Sequence, residues 1–128
     1  MHAPIALLIA PLALVGCVQE QPRSVTQSRV PAAEVLGVGQ SCVPITSLGD
    51  SRIRDNRTID FIRGGNKGWR VTLPLDCPGL ASANAFSYET SLSQLCSTDI
   101  IHVLDNAGGL HRGASCGLGE FVPIRLSR

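Results

Sequence analysis

The sequence has little net charge and lacks the paired cysteine or histidine spacings of a zinc site. Among 128 residues, 11 Lys and Arg stand against 10 Asp and Glu, which leaves a formal charge of +1. Such a balance argues against a protein that binds nucleic acid through bulk charge. No CxxC or HxxxH spacing is present, so we expect neither a metal nor another cofactor. The length allows one folded domain at most.

The sequence also lacks an apolar run of the about 20 residues that a membrane-spanning helix needs. Residues 3–16 are uncharged and mostly Ala, Leu, Ile and Val. This shorter run suits the apolar core of a secretory signal peptide, although no Lys or Arg precedes it. Pro4 and Pro11 argue against a buried core helix. We therefore predict a signal peptide over residues 1–16.

The apolar run ends in Leu14-Val15-Gly16-Cys17, and the chain then turns polar. This junction resembles the bacterial lipobox, in which a branched apolar residue, a small residue and Gly or Ala precede a cysteine. The resemblance implies that the Cys17 thiol receives a diacylglyceryl group and that a peptidase cuts before it. Ordinary signal cleavage and a structural thiol are the alternatives. Two or three acyl chains make a stable membrane anchor, and Val18, which is not Asp, permits sorting to an outer membrane.

Residues 17–40 are polar, rich in Gln, Ser and Pro, and show no sustained period. This composition predicts a flexible tether that holds the domain near the membrane. Within it, residues 33–38 are a candidate for a short ordered lead-in. We expect the folded domain over residues 41–128, where frequent Gly and Pro favour short strands and turns.

The clearest element of that domain is a hairpin of residues 57–63 and 68–73. In its second strand Trp69, Val71 and Leu73 alternate with polar residues, which is the period of a half-buried strand. The intervening Gly-Gly-Asn-Lys suits a turn because Gly and Asn tolerate positive φ.

A second hairpin is predicted from residues 99–105 and 116–124, with residues 106–115 as its loop and the glycines marking a bulge or a close backbone approach. Residues 43–48 offer a further strand, and a short helix or strand is expected around residues 86–95. The whole indicates a mainly β fold: a small antiparallel, partly closed barrel or sandwich of about five strands.

Four cysteines remain in the predicted domain: Cys42, Cys77, Cys96 and Cys116. An even set in an oxidising compartment predicts two disulfides. The second hairpin would separate Cys96 from Cys116 by about 26 Å, whereas a disulfide needs Cα atoms within about 7 Å. Two pairings stay open, and we favour Cys77–Cys96 with Cys42–Cys116 because the first closes a short loop.

Two groups of residues resemble catalytic or metal-binding patterns. Gly113-Ala114-Ser115-Cys116-Gly117 matches G-x-S-x-G, but no His follows Ser115, and we interpret the segment as the bulged start of a strand. His102, Asp105 and His111 are interpreted as solvated surface groups, with His102 and Asp105 on opposite faces and His111 in a loop. We therefore predict no catalytic residue and no enzyme.

Residues 52–70 form a basic stripe with a net charge of +4, since six basic residues stand against Asp55 and Asp60. Such a stripe is suited to contact anionic lipid headgroups or an acidic envelope polymer, and a solvated hairpin face is the alternative. The six basic residues are Arg52, Arg54, Arg57, Arg63, Lys67 and Arg70.

The segment from Cys42 to Ile124 resembles a family of uncharacterised small bacterial (proteobacterial) lipoproteins whose domain of unknown function carries four cysteines. The resemblance rests on Asp55-Asn56-Arg57-Thr58, Trp69, Leu73-Pro74, Cys77-Pro78-Gly79-Leu80, Leu95-Cys96-Ser97-Thr98-Asp99-Ile100-Ile101 and Cys116-Gly117-Leu118-Gly119-Glu120-Phe121-Val122-Pro123. It implies a single domain with paired cysteines and supplies no activity.

These observations predict a lipoprotein that is anchored in the cell envelope through its acyl chains and faces the periplasm from the outer membrane. Its small β domain is expected to bind or support an envelope protein or an anionic polymer without catalysing a reaction. The alternatives are a protein inhibitor or sensor, similar to the lipoproteins that inhibit lysozyme, and a small hydrolase.

Overall fold

A computed structural model describes residues 29–90 and 92–128 of the chain. The predicted signal peptide, Cys17 and the first half of the predicted tether, up to residue 28, lie outside these residues. The described part contains ten strands: β1 Ala33–Val35, β2 Cys42–Pro44, β3 Asp50–Ile53, β4 Thr58–Ile62, β5 Lys67–Thr72, β6 Phe86–Tyr88, β7 Gln94–Cys96, β8 Ile100–Asp105, β9 His111–Gly117 and β10 Phe121–Leu126. A 3₁₀ helix, Ile45–Ser47, follows β2, and a short helix, α1, spans Leu80–Ala83 between β5 and β6.

The strands form three antiparallel sheets around a common core. The largest sheet has the order β1-β10-β5-β4-β3, the second has the order β6-β8-β9, and β2 pairs with β7. All three sheets contribute to one buried cluster, for example through Phe61, Ile101 and Leu95. The predicted mainly β, antiparallel class is confirmed, and the sheets pack in a sandwich-like arrangement without closing into a barrel. The sandwich holds ten strands where about five were expected, because several strands have only three residues.

The first predicted hairpin is confirmed as β4 and β5. Their register places Ile59 opposite Val71 and Phe61 opposite Trp69, so the alternating apolar side chains share the core-facing side of the sheet. The turn needs glycine, because Gly64 and Gly65 have φ of 62° and 64°, a region that L side chains rarely adopt.

The second predicted hairpin is only partly correct. Its first strand is β8, but the returning strand is β9, which begins at His111 and pairs Cys116 with Ile101. The predicted loop over residues 106–115 and the loop position of His111 are therefore wrong. The second half of the predicted strand is β10, which belongs to the five-stranded sheet beside β5.

Residues 118–120 carry the chain from one sheet to the other. A Cβ atom on Gly119 would lie 2.2 Å from the carbonyl oxygen of Thr72, so this close approach requires glycine, as the sequence predicted. In the sequence, residues 116–124 resemble a single strand, because the glycines do not interrupt the apolar pattern at the point where the chain passes from one sheet to the other.

The secondary structure of three further segments differs from the prediction or refines it. The predicted strand over residues 43–48 is β2 followed by the 3₁₀ helix, and residues 86–95 contain strand β6 and the start of β7. The lead-in at residues 33–38 contains β1, which pairs with β10 at the edge of the large sheet. The large sheet thus includes Ala33–Val35, which the sequence analysis assigned to the tether.

The four cysteines form two disulfides, Cys42–Cys96 and Cys77–Cys116. The favoured pairing, Cys77–Cys96 with Cys42–Cys116, is wrong, because β2 pairs with β7 and places Cys42 directly opposite Cys96. The exclusion of a Cys96–Cys116 bond agrees with the structure. Cys77 is fully buried, and its bond to Cys116 ties the segment after β5 to strand β9.

Candidate functional site

The basic stripe separates into residues that serve the fold and residues that remain available. Asp60 of β4 is fully buried on the side of the sheet opposite to the main core. Arg70 contacts both of its oxygens, with Nε 2.7 Å from Oδ1 and Nη2 2.9 Å from Oδ2, while Arg54 Nε lies 2.8 Å from Oδ2. The two guanidinium groups thus satisfy a carboxylate that would otherwise be buried without partners.

Arg57 is also used internally, because its guanidinium donates hydrogen bonds to the carbonyl oxygens of Leu73 and Pro74. Arg52, Arg63 and Lys67 differ from these three. They are exposed, and within residues 29–90 and 92–128 their side chains form no ion pair or hydrogen bond.

The three available cations do not form one patch. Arg52 lies opposite Asp60 in the β3–β4 pair and therefore belongs to the outer side of the large sheet. Arg63 follows Phe61 by two positions, and Lys67 precedes Trp69 by two, so both continue the core-facing side beyond the end of the core. The predicted six-residue stripe is therefore divided between two faces.

Arg63 and Lys67 line a surface pocket together with the only tryptophan of the sequence. The pocket has a volume of about 240 Å³, and its lining residues are Ser47, Arg63, Lys67, Gly68 and Trp69. We call it the Trp69 pocket. Two cations and one half-buried indole meet there, and no acidic side chain is among the described lining residues.

The hairpin turn builds this pocket. The backbone N–H of Arg63 donates to the carbonyl oxygen of Lys67 at 2.9 Å, which holds the two residues opposite each other at the end of β4 and β5. Ser47 reaches the pocket from the 3₁₀ helix, where its hydroxyl donates to the carbonyl oxygen of Pro44. The sequence identified Arg63 and Lys67 but missed Trp69 and Ser47 as their neighbours. The register of the predicted hairpin could have indicated Trp69.

The residues of the G-x-S-x-G match lie in a strand, as interpreted, but in the second half of β9 and not at the start of a strand. Ser115 is therefore not on the strand–turn–helix elbow of a hydrolase. Its Oγ lies 2.9 Å from Nδ1 of His102 on the neighbouring strand. Asp105 lies opposite His111 in the register of β8 and β9. Together with Val103 it lines a second pocket, separate from the Trp69 pocket. The structure therefore brings Asp105 and His111 opposite each other, but the three residues His102, Asp105 and His111 do not form a cluster that could hold a metal ion.

Glu89, which follows β6, and Arg112 of β9 form an exposed ion pair, with a distance of 2.5 Å between Arg112 Nη2 and Glu89 Oε1. The hydrogen bond and positive charge of Arg112 lower the pKa of Glu89, and His102 contributes a smaller effect in the same direction. Because the pair is exposed to solvent, it contributes little to stability.

Neither a metal centre nor a membrane-crossing helix is found in the part of the chain that the structure describes. No three His, Cys, Asp or Glu side chains there are arranged to hold a metal ion. Likewise, the helices in these residues are too short to pass through a bilayer.

Comparisons with known proteins gave no relatives. No protein-family model matches the chain, and searches of curated proteins and of solved structures likewise found no match. The resemblance to uncharacterised lipoproteins therefore rests on the sequence motifs alone.

Proposed function

We propose that this protein is an envelope lipoprotein, anchored through acylated Cys17 and facing the periplasm, whose β domain acts as a non-enzymatic binding module. The proposal of a lipid anchor rests on the sequence Leu14-Val15-Gly16-Cys17 at the end of an apolar segment. Val18, which is not Asp, supports an outer-membrane location. The two disulfides of the domain suit the oxidising periplasm, since such bonds are rare in the cytosol.

The binding role is supported by the two exposed cations of the Trp69 pocket, Arg63 and Lys67. Two like charges that lie side by side without partners repel each other, which is unfavourable for the free domain. A purely structural role does not explain why both cations are present. A ligand that supplies negative charge would remove this repulsion. An anionic component of the envelope is therefore the ligand class that the domain suits best.

Metabolic labelling with an alkyne fatty acid tests the anchor. We expect the wild-type chain to be labelled and Cys17→Ala to lose the label entirely, because no sulfur remains at the acylation site. Val18→Asp is the matched control: it should keep the label and move from the outer-membrane to the inner-membrane fraction. An unlabelled wild type, or equal labelling of Cys17→Ala, would contradict the lipoprotein proposal.

A further inference from the structure

We propose that the Trp69 pocket binds an anionic saccharide, that is, a sugar ring that bears a carboxylate or a phosphate. This inference deepens the proposed function by naming the ligand class. It shares with that function the idea of a binding domain but does not depend on the acylation of Cys17.

The charge of the ligand follows from the two free cations. Arg63 and Lys67 are exposed and lack ionic partners among the described residues, and the described lining of the pocket contains no carboxylate. A guanidinium group binds a carboxylate or phosphate through two parallel hydrogen bonds, and an ammonium group adds a compact second charge. The pocket thus offers two charge-assisted contacts to one anion or to adjacent anions.

The ring of the ligand follows from Trp69. Trp69 is half-buried: it packs partly against the core and also lines the pocket. An inorganic anion would leave this apolar surface without a partner. A sugar ring carries an apolar C–H face that packs on the electron-rich face of an indole, and its charged substituent can then reach Arg63 or Lys67. The combination selects a charged ring over a bare anion.

The same arrangement argues against an anionic membrane surface as the ligand. Recognition of acidic lipids by charge typically requires clusters of about 4–8 basic residues. Of the six basic residues of the stripe, two are free on this face, Arg63 and Lys67, since Arg52 lies on the other side of the sheet. Arg54 and Arg70 are bound to Asp60, and Arg125, opposite Lys67, is paired with Glu34.

The single tryptophan makes binding directly observable, because emission excited at about 295 nm reports on Trp69 alone. The full chain in detergent would be titrated with oligogalacturonate and, separately, with a phosphorylated mannan oligosaccharide. We expect a saturable change in emission with at least one of them. The methyl ester of oligogalacturonate has the ring without the charge, and polyglutamate has the charge without the ring. Both should bind at least about tenfold more weakly.

Charge-removing variants locate the binding. Arg63→Ala with Lys67→Ala should weaken the saccharide affinity by about a hundredfold or more, because both charge-assisted contacts to the anion are lost. The matched control is Arg52→Ala, which removes an equally exposed and unpaired cation from the other face. Its affinity should stay within about twofold of the wild type. Far-UV circular dichroism would verify that all three chains are folded.

Several outcomes would overturn this proposal. They are the absence of binding to both acidic saccharides, polyglutamate binding as tightly as they do, or an equal loss in Arg52→Ala. Vesicles of phosphatidylglycerol and phosphatidylcholine provide a further arm. If they bind with the Arg63 and Lys67 dependence while the saccharides do not, the face is a lipid contact. A failure here leaves the labelling of Cys17 unaffected, so the failure of the saccharide site and that of the anchor are distinguishable.

Discussion

Replacing Cys77 and Cys116 together by alanine is expected to lower the free energy of unfolding by about 4 kcal/mol. The two residues are 39 positions apart, and opening a loop of this length restores considerable entropy to the unfolded chain. The disulfide also fixes the buried Cys77 beside β9. Chemical denaturation of the wild type and the double variant measures the difference.

The second disulfide provides the comparison. Cys42 and Cys96 are 54 positions apart. Replacing both by alanine should therefore lower the free energy of unfolding by about 4 kcal/mol as well. Small domains are stable by only about 5–15 kcal/mol in total, and loss of both bonds should therefore leave the chain largely unfolded. Dithiothreitol should reproduce this effect in the wild type. A loss below about 1 kcal/mol in the Cys77/Cys116 variant would contradict the structural role assigned to this bond.

Asp60→Asn is expected to lower the free energy of unfolding by about 3 kcal/mol. The carboxylate is fully buried and accepts three charge-assisted contacts from Arg54 and Arg70. An amide keeps the shape but removes the charge, so two partly buried guanidinium groups lose their counter-ion. Arg70 also donates to the carbonyl oxygen of Pro31, and its displacement would loosen the segment that precedes β1.

The matched control is Asp50→Asn in β3, because Asp50 is exposed and its side chain forms no hydrogen bond or ion pair within the described residues. Its effect should stay within about 0.5 kcal/mol. Removing all three charges through Asp60→Leu, Arg54→Met and Arg70→Met should cost less than Asp60→Asn alone, since no charge is then left buried without a partner. If Asp60→Asn changed stability no more than Asp50→Asn, the three-residue cluster would not be a stabilising element.

The sequence predicted the elements whose signals are local. The β4–β5 hairpin was identifiable because an alternating strand, a Gly-Gly-Asn turn and a terminating proline follow one another in the chain. The division of residues 116–124 into β9 and β10 depends instead on contacts with β5 and β8, which are distant in sequence. Local alternation does not show that two successive strands belong to different sheets.

The disulfide pairing was missed for a similar reason. Strands β2 and β7 have three residues each, too few for a reliable alternating pattern, and their pairing places Cys42 opposite Cys96. Loop length alone favoured the wrong partner. The error therefore lay in a tertiary contact between two short strands.

The candidate site was partly predictable. Clustered basic residues drew attention to the stripe, but charge counting does not reveal which cations are already neutralised. The burial of Asp60 on β4 decides this, because the carboxylate occupies Arg54 and Arg70 and leaves Arg63 and Lys67 free.

The mass of the N-terminal peptide, from protein extracted from the membrane fraction, tests the lipid anchor most directly. An anchored lipoprotein predicts a peptide that begins at Cys17 and carries the mass of a glyceride and its fatty acids. A peptide that begins before Cys17, or a Cys17 with an unmodified thiol, would contradict the proposal that this β domain is held in the envelope by acylation of that cysteine.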